Sequence, residues 1–248
     1  MSLAFLSPES AATARVAARS PMEPLALAAG GRLAVQEGWN VVSAYTDAHA
    51  ERERLTSSVG FADRSSLTKL ELQGAPDTLA RVVGDASGGL VLTPGLASPS
   101  AGARPPGAWW CPVTPGRVIV LAQAGAGAGL RAALARAAER HDGRTTVLDV
   151  SCGLAALALV GPGARELLAR FCAIDVRGAL TPPGSFRPGS IARTPGYLLV
   201  EAQDRLLVLI GWALGEYLWR VVADAAGHLG GGPVGAAALA AHIEADDA

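Results

Sequence analysis

Few groups in this sequence can do chemistry, and their spacing excludes most of the chemistry they could do. Cys152 follows Ser151 just before the apolar run Leu154–Val160, a place where a thiol could act as a nucleophile if a base stood beside it. No histidine lies near it in sequence, and a small core residue is the simpler reading. The four histidines, His49, His141, His228 and His242, never fall at metal-ligand spacing from one another or from a cysteine. Gly125-Ala-Gly127-Ala-Gly129-Leu130 follows an apolar run and opens an amphipathic one. A dinucleotide fingerprint would need its third glycine at 130, where leucine stands. Neither a Gly-x-Ser-x-Gly elbow nor a Gly-x-x-x-x-Gly-Lys loop occurs.

The elements that would position any site are repeated along the chain. RVIVLAQAGAGAGLRAALARAA (117–138) and RLLVLIGWALGEYLWRVVADAA (205–226) align without a gap, each passing from Arg through an apolar strand and a glycine turn (Gly127, Gly215) into an amphipathic stretch at Leu130 or Leu218. Upstream, FADRSSLTKLELQGAPDTLARVV (61–83) and LDVSCGLAALALVGPGARELLARF (148–171) share an Asp-x-Ser, an apolar strand, Gly74 or Gly161, and a short helix. A period of about ninety residues is too long for a solenoid and predicts a duplicated α+β unit, with halves at about 61–138 and 149–226 and a site in the cleft between them.

Composition narrows the partners. With half of 248 residues apolar and a net charge of −1, the chain can bury a core and has no electrostatic reason to seek nucleic acid or an anionic membrane. Cys111, Cys152 and Cys172 are odd in number and widely spaced, which suits reduced thiols in a cytoplasm better than a disulfide framework. Neither a secretory h-region nor an apolar run of about eighteen residues occurs. Lys69 is the single lysine beside twenty arginines (21 basic residues less one).

Residues 1–30, rich in Ala, Ser and Pro, read as a loose arm, residues 31–240 as the folded domain and 241–248 as a tail. Ala48–Ser57 reads as a charged surface helix. In Leu67–Leu72 the alternation of leucine with Lys69 and Glu71 predicts a strand with one wet face, whereas Leu154–Val160 is apolar on both faces and predicts a strand deeper in the fold.

Four segments in order, VGFADRSSLTKLELQG (59–74), LDVSCGLAALALVGPGARELLARF (148–171), IARTPGYLLVEAQDRLLVLI (191–210) and GGPVGAAAL (231–239), resemble successive landmarks of the glycine-cleavage T-protein superfamily. That superfamily includes aminomethyltransferases, tetrahydrofolate-dependent demethylases and the gamma subunit of heterotetrameric sarcosine oxidase; residues 172–196 are most similar to the last. The resemblance spans most of residues 38–240. It implies a duplicated α+β folate-binding domain, here without the C-terminal barrel of full aminomethyltransferases.

The resemblance also implies a tetrahydrofolate site. Arg193-Thr194-Pro195-Gly196-Tyr197 followed by Glu201 is similar to the family's binding strand, with the carboxylate one position late; a carboxylate can accept two parallel N–H bonds from a pterin's amino-pyrimidinone edge. Trp109, Trp110 and Trp212 offer rings for stacking, and Gln123 stands where the family has an asparagine-containing turn. The family's acidic residue at the reacting nitrogen has no counterpart, because residues 86–138 contain neither aspartate nor glutamate. The expectation is a folate-binding accessory subunit, inactive alone, working beside an amine oxidase or methyltransferase or self-associating. The alternatives are a stand-alone tetrahydrofolate-dependent transferase and a scaffold that binds no folate.

Overall fold

The computed structural model describes residues 16, 18–100, 107–141 and 144–246. After α1 (Glu23–Ala28) comes the hairpin β1 (Arg32–Gln36) and β2 (Trp39–Ala44), then α2 (Ala48–Ser57), β3 (Gly60–Asp63), β4 (Thr68–Gln73) and α3 (Pro76–Ser87). The short β5 (Ser98–Pro99) precedes the hairpin β6 (Trp109–Thr114) and β7 (Arg117–Ala122), α4 (Gly127–Arg140) and β8 (Thr146–Asp149). There follow β9 (Leu154–Val160), α5 (Ala164–Ala169), β10 (Phe186–Ile191), β11 (Thr194–Ala202), β12 (Arg205–Gly211), α6 (Gly215–Gly227), β13 (Gly232–Pro233) and α7 (Ala236–Asp246).

Two larger sheets form from these strands, in the orders β5-β6-β7-β4-β8 and β10-β11-β12-β9-β3-β13. They pack face to face, with helices outside both. Strand alternation sends Leu70, Leu72, Val118 and Val120 outward to α3 and α4, where Leu79, Val83, Leu130 and Leu134 share their cluster. Ile119 and Leu121 point the other way, into a layer with Ala156, Ala158, Leu207 and Leu209. On the far side, Leu157, Leu206 and Val208 meet α5 and α6 through Leu167, Leu218 and Trp219. β9 is therefore buried on both faces, as its unbroken apolar run implies.

The two sheets are joined by an exchange. β3 precedes β4 in the chain but pairs with β9, and β8 precedes β9 but pairs with β4. The hydrogen bonds of the crossings are reciprocal. Arg64 N–H donates to Ala156 O and Val150 N–H to Lys69 O, each at 2.9 Å. The hydroxyl of Ser65 accepts from Ala156 N–H at 3.1 Å, and that of Ser151 accepts from Lys69 N–H at 3.0 Å. Each serine is set by an Asx turn, its N–H donating to Asp63 or Asp149.

Three sequence expectations need correction. β4 has no wet face: Lys69 is fully buried and Glu71 nearly so, because that face looks into the space between the sheets. The polar groups are satisfied there. Lys69 Nζ donates to the carbonyls of Ser65, Leu67 and Ser151 at 2.7–2.9 Å, and Glu71 accepts from Arg117 at 2.6 Å. The loose arm does not extend to residue 30, since α1 puts Met22 and Ala26 into the cluster that holds Tyr45, Phe61 and Trp219; residues 1–15 and 17 lie outside the described part. Residues 241–246 are no tail but the second half of α7. Pairing from Glu51 seats that helix, because the buried carboxylate accepts from Gly235 N–H and Thr46 N–H, both at 2.8 Å. Residue 235 must be glycine, since a Cβ there would lie 2.1 Å from the Ser43 carbonyl oxygen.

Candidate functional site

The inward faces of the sheets do not fill the whole gap. A cavity of about 250 Å³ remains near the ends of β6, β7 and β11, lined by Trp109, Leu121, Gln123, Glu201, Arg205 and Arg64 among others, with Ile243 of α7 contributing too. Beside it, under α7, lies a second cavity of about 300 Å³ whose walls include Asp63, Leu239 and Glu244; Arg64, Leu67, Gln123 and Ile243 line both.

Charge in the first cavity is arranged around one carboxylate. Both oxygens of Glu201 accept from Arg64 Nη1, at 2.9 and 3.0 Å, and Arg205 Nε lies 3.7 Å away. All three side chains are largely buried, at 14% exposure for Arg64, 6% for Glu201 and 10% for Arg205. At such depth a carboxylate is tolerable only when paired. Asp246 at the end of α7 approaches Arg205 at 3.8 Å, which draws the helix over the cleft.

The structure brings together three of the six residues singled out from the sequence and separates the others. Glu201, Trp109 and Gln123 line the cavity. Trp110 cannot, because neighbours on a strand point to opposite faces: it is buried in the cluster under α3 and α4, its indole N–H donating to Ser100 Oγ at 2.9 Å. Tyr197 lies two turns of the pleat before Glu201 on the same face, and its ring stacks on Phe186 with centroids 5.5 Å apart, outside the cavity wall. Arg193 is exposed at the tip of the β10–β11 hairpin, in a two-residue turn where Ala192 and Arg193 both have positive φ (49° and 61°). An extended strand separates it from Glu201 by roughly 25 Å, so the two do not share a site. Trp212 packs on Trp39.

Arg64 and Arg205 escaped the sequence reading. Arg64 carried a signal all the same, for it stands within Asp63-Arg64-Ser65 where the matching crossing has Val150. Among the described residues, no group of three His, Cys, Asp or Glu side chains could hold a metal, and no helix is long and apolar enough to cross a membrane. Cys152 is not the small core residue expected from the sequence but lies exposed in the turn before β9; partial desolvation, with Asp149 beside it, outweighs the nearby Lys69 and raises its pKa, the reverse of an activated thiol.

Two solved structures share this architecture. The glycine cleavage system aminomethyltransferase T from Bartonella henselae matches with a TM-score of 0.73 at 18% identity, over 89% of this chain and 60% of its own. The chain has the aminomethyltransferase T fold. A chain of the heterotetrameric sarcosine oxidase from Corynebacterium sp. U-96, solved in complex with pyrrole 2-carboxylate, matches with a TM-score of 0.60 at 20% identity, over 73% of this chain and 92% of its own. The present chain thus spans about three fifths of the aminomethyltransferase's length. No family model and no curated protein matches the sequence.

Proposed function

We propose that this chain binds a reduced folate in the cavity between its sheets and serves as a non-catalytic subunit in one-carbon or N-methyl-amine metabolism. The observation that carries this reading is the meeting of Glu201, Trp109 and Gln123 on the walls of one cavity, in a fold shared with an aminomethyltransferase. A carboxylate is the natural acceptor for a pterin's paired N–H groups, an indole supplies an apolar face, and a primary amide offers a donor and an acceptor for the rest of the heterocycle. The volume suits the bicyclic head, with the tail lying toward α7.

Catalysis by the chain alone is disfavoured on this reading. Glu201 is the one carboxylate among the described residues lining the first cavity, and its charge is committed to Arg64. No acid or base is left there to move a proton. The proposed partner is an amine-oxidising or methyl-transferring subunit, a reading supported by the fold's likeness to a chain of a heterotetrameric oxidase. Three free thiols suit a cytoplasmic setting. The common strand order of the two sheets and the reciprocal bonds between them support descent from one duplicated unit.

Calorimetric titration with 5-formyltetrahydrofolate tests the reading. Binding in the micromolar range, about 8 kcal/mol, is expected, and Gln123→Ala should weaken it roughly tenfold. Absence of heat at millimolar ligand would leave a scaffold that binds no folate.

A further inference from the structure

We infer that Arg64 is a displaceable stand-in for the ligand, a gate whose guanidinium occupies the face of Glu201 that a 2-amino-4-oxo heterocycle would take; this rests on the folate reading above. Three observations lead there. Arg64 Nη1 spans both oxygens of Glu201, and a guanidinium and an amino-pyrimidinone edge offer a carboxylate the same kind of N–H donors. A ligand reaching Glu201 by that edge must remove Arg64 first.

The side chain, moreover, is not needed for the crossing in which it stands. The backbone N–H of Arg64 makes the crossing bond to Ala156, and its counterpart Val150 makes the matching bond to Lys69 with no polar side chain at all. The guanidinium therefore serves something other than the exchange of strands. Arg64 also lines both cavities, so its side chain is part of the wall between them, and swinging it aside would open one continuous cleft.

The displaced guanidinium has somewhere to go. Glu244 of α7, exposed in this state, lines the second cavity together with Arg64. The gate accordingly has two positions, on Glu201 with the ligand absent and on Glu244 with the ligand bound, and ligands that present no amidine-like edge cannot pay the exchange. Specificity comes from replacing one guanidinium-like partner by another, so that Glu201 is never buried alone.

The test is a titration of wild type, Arg64→Ala and Glu244→Gln with pterin and with 5-formyltetrahydrofolate, alongside thermal unfolding in millimolar methylguanidinium. The inference expects Arg64→Ala to bind both ligands about tenfold more tightly than wild type, and Glu244→Gln, a near-isosteric change that removes only the wall residue's charge, to bind several-fold more weakly. Methylguanidinium should raise the midpoint of Arg64→Ala and leave wild type unmoved. If wild type binds and Arg64→Ala binds equally or more weakly, Arg64 is a ligand contact and the gate is refuted while the folate reading stands. Rescue by methylguanidinium with no folate bound by any of the three proteins would keep the exchangeable site and remove folate as its occupant. Should Arg64→Ala fail to fold, unaltered binding by Glu244→Gln refutes the two-position gate.

Discussion

The two crossings between the sheets use the same backbone and carry different side chains. At one, Ser65 and Arg64 meet Ala156; at the other, Ser151 and Val150 meet Lys69. The strand pairing needs only the serine hydroxyls and main-chain groups, which both crossings have. Arg64 and Lys69 have apolar counterparts, Val150 and Ala156, at the other crossing. Arg64 faces the cavity, while Lys69 spends its three N–H groups on carbonyls beside it. Two copies of one device thus separate what the fold requires from what has been built on it.

The largest contrast should lie at the paired glycines that follow β4 and β9. Both donate N–H to the neighbouring hairpin turn, Gly74 to Gly116 and Gly161 to Asp204. Gly161 has φ of 112°, and a Cβ there would lie 2.7 Å from the Leu55 carbonyl oxygen and 2.8 Å from that of Ser58. At Gly74 the nearest atoms are 3.3 Å away. Gly161→Ala should cost about 4 kcal/mol or more in urea unfolding, and Gly74→Ala about 1 kcal/mol. Equal losses would break the comparison.

Lys69 sharpens it through pH. Burial pulls the ammonium down to about 8 from 10.5. Between those values the unfolded chain binds more protons than the folded one, so stability rises with pH across the window and falls as pH drops through 8. Relative to Lys69→Met, wild type should gain about 3 kcal/mol between pH 8 and 10.5 at about 1.4 kcal/mol per unit. Parallel stability curves for the two proteins would mean that the three carbonyls hold the ammonium as well as water does.

A smaller effect tests the reciprocity itself. Ser65→Ala leaves a buried N–H of Ala156 without its hydroxyl acceptor, and Ser151→Ala does the same to Lys69. Losses of about 1–2 kcal/mol are expected for each, Ser65 the larger because it is fully buried. Amide exchange at Ala156 and Lys69 should quicken in the respective variants and not in the other.

Much of the fold was legible because it is local. The strand starts at Arg117 and Arg205, the two-sided burial of Leu154–Val160 and the helix over Ala48–Ser57 follow from period and composition. The exchange of β3 and β8 was not, because Asp-x-Ser reads as a turn and its hydrogen-bond partners lie some ninety residues away. For the same reason Lys69 and Glu71 looked wet, since alternation marks a distinct face without saying what covers it. The site was half legible. Arg193, Tyr197 and Glu201 read as one motif in a line of text, but a strand is straight, and only its last residue reaches the cavity. Trp109 and Trp110 are neighbours in sequence and lie on opposite sides of a sheet.

Tryptophan fluorescence during titration with 5-formyltetrahydrofolate decides whether the cavity between the sheets takes the ligand, because Trp109 lines that cavity whereas Trp110 and Trp212 do not. The account predicts a saturable change with a micromolar midpoint in wild type, most of it lost in Trp109→Phe while calorimetry still detects binding. A change that survives Trp109→Phe undiminished would place the ligand elsewhere, and no change up to millimolar folate would contradict the account outright.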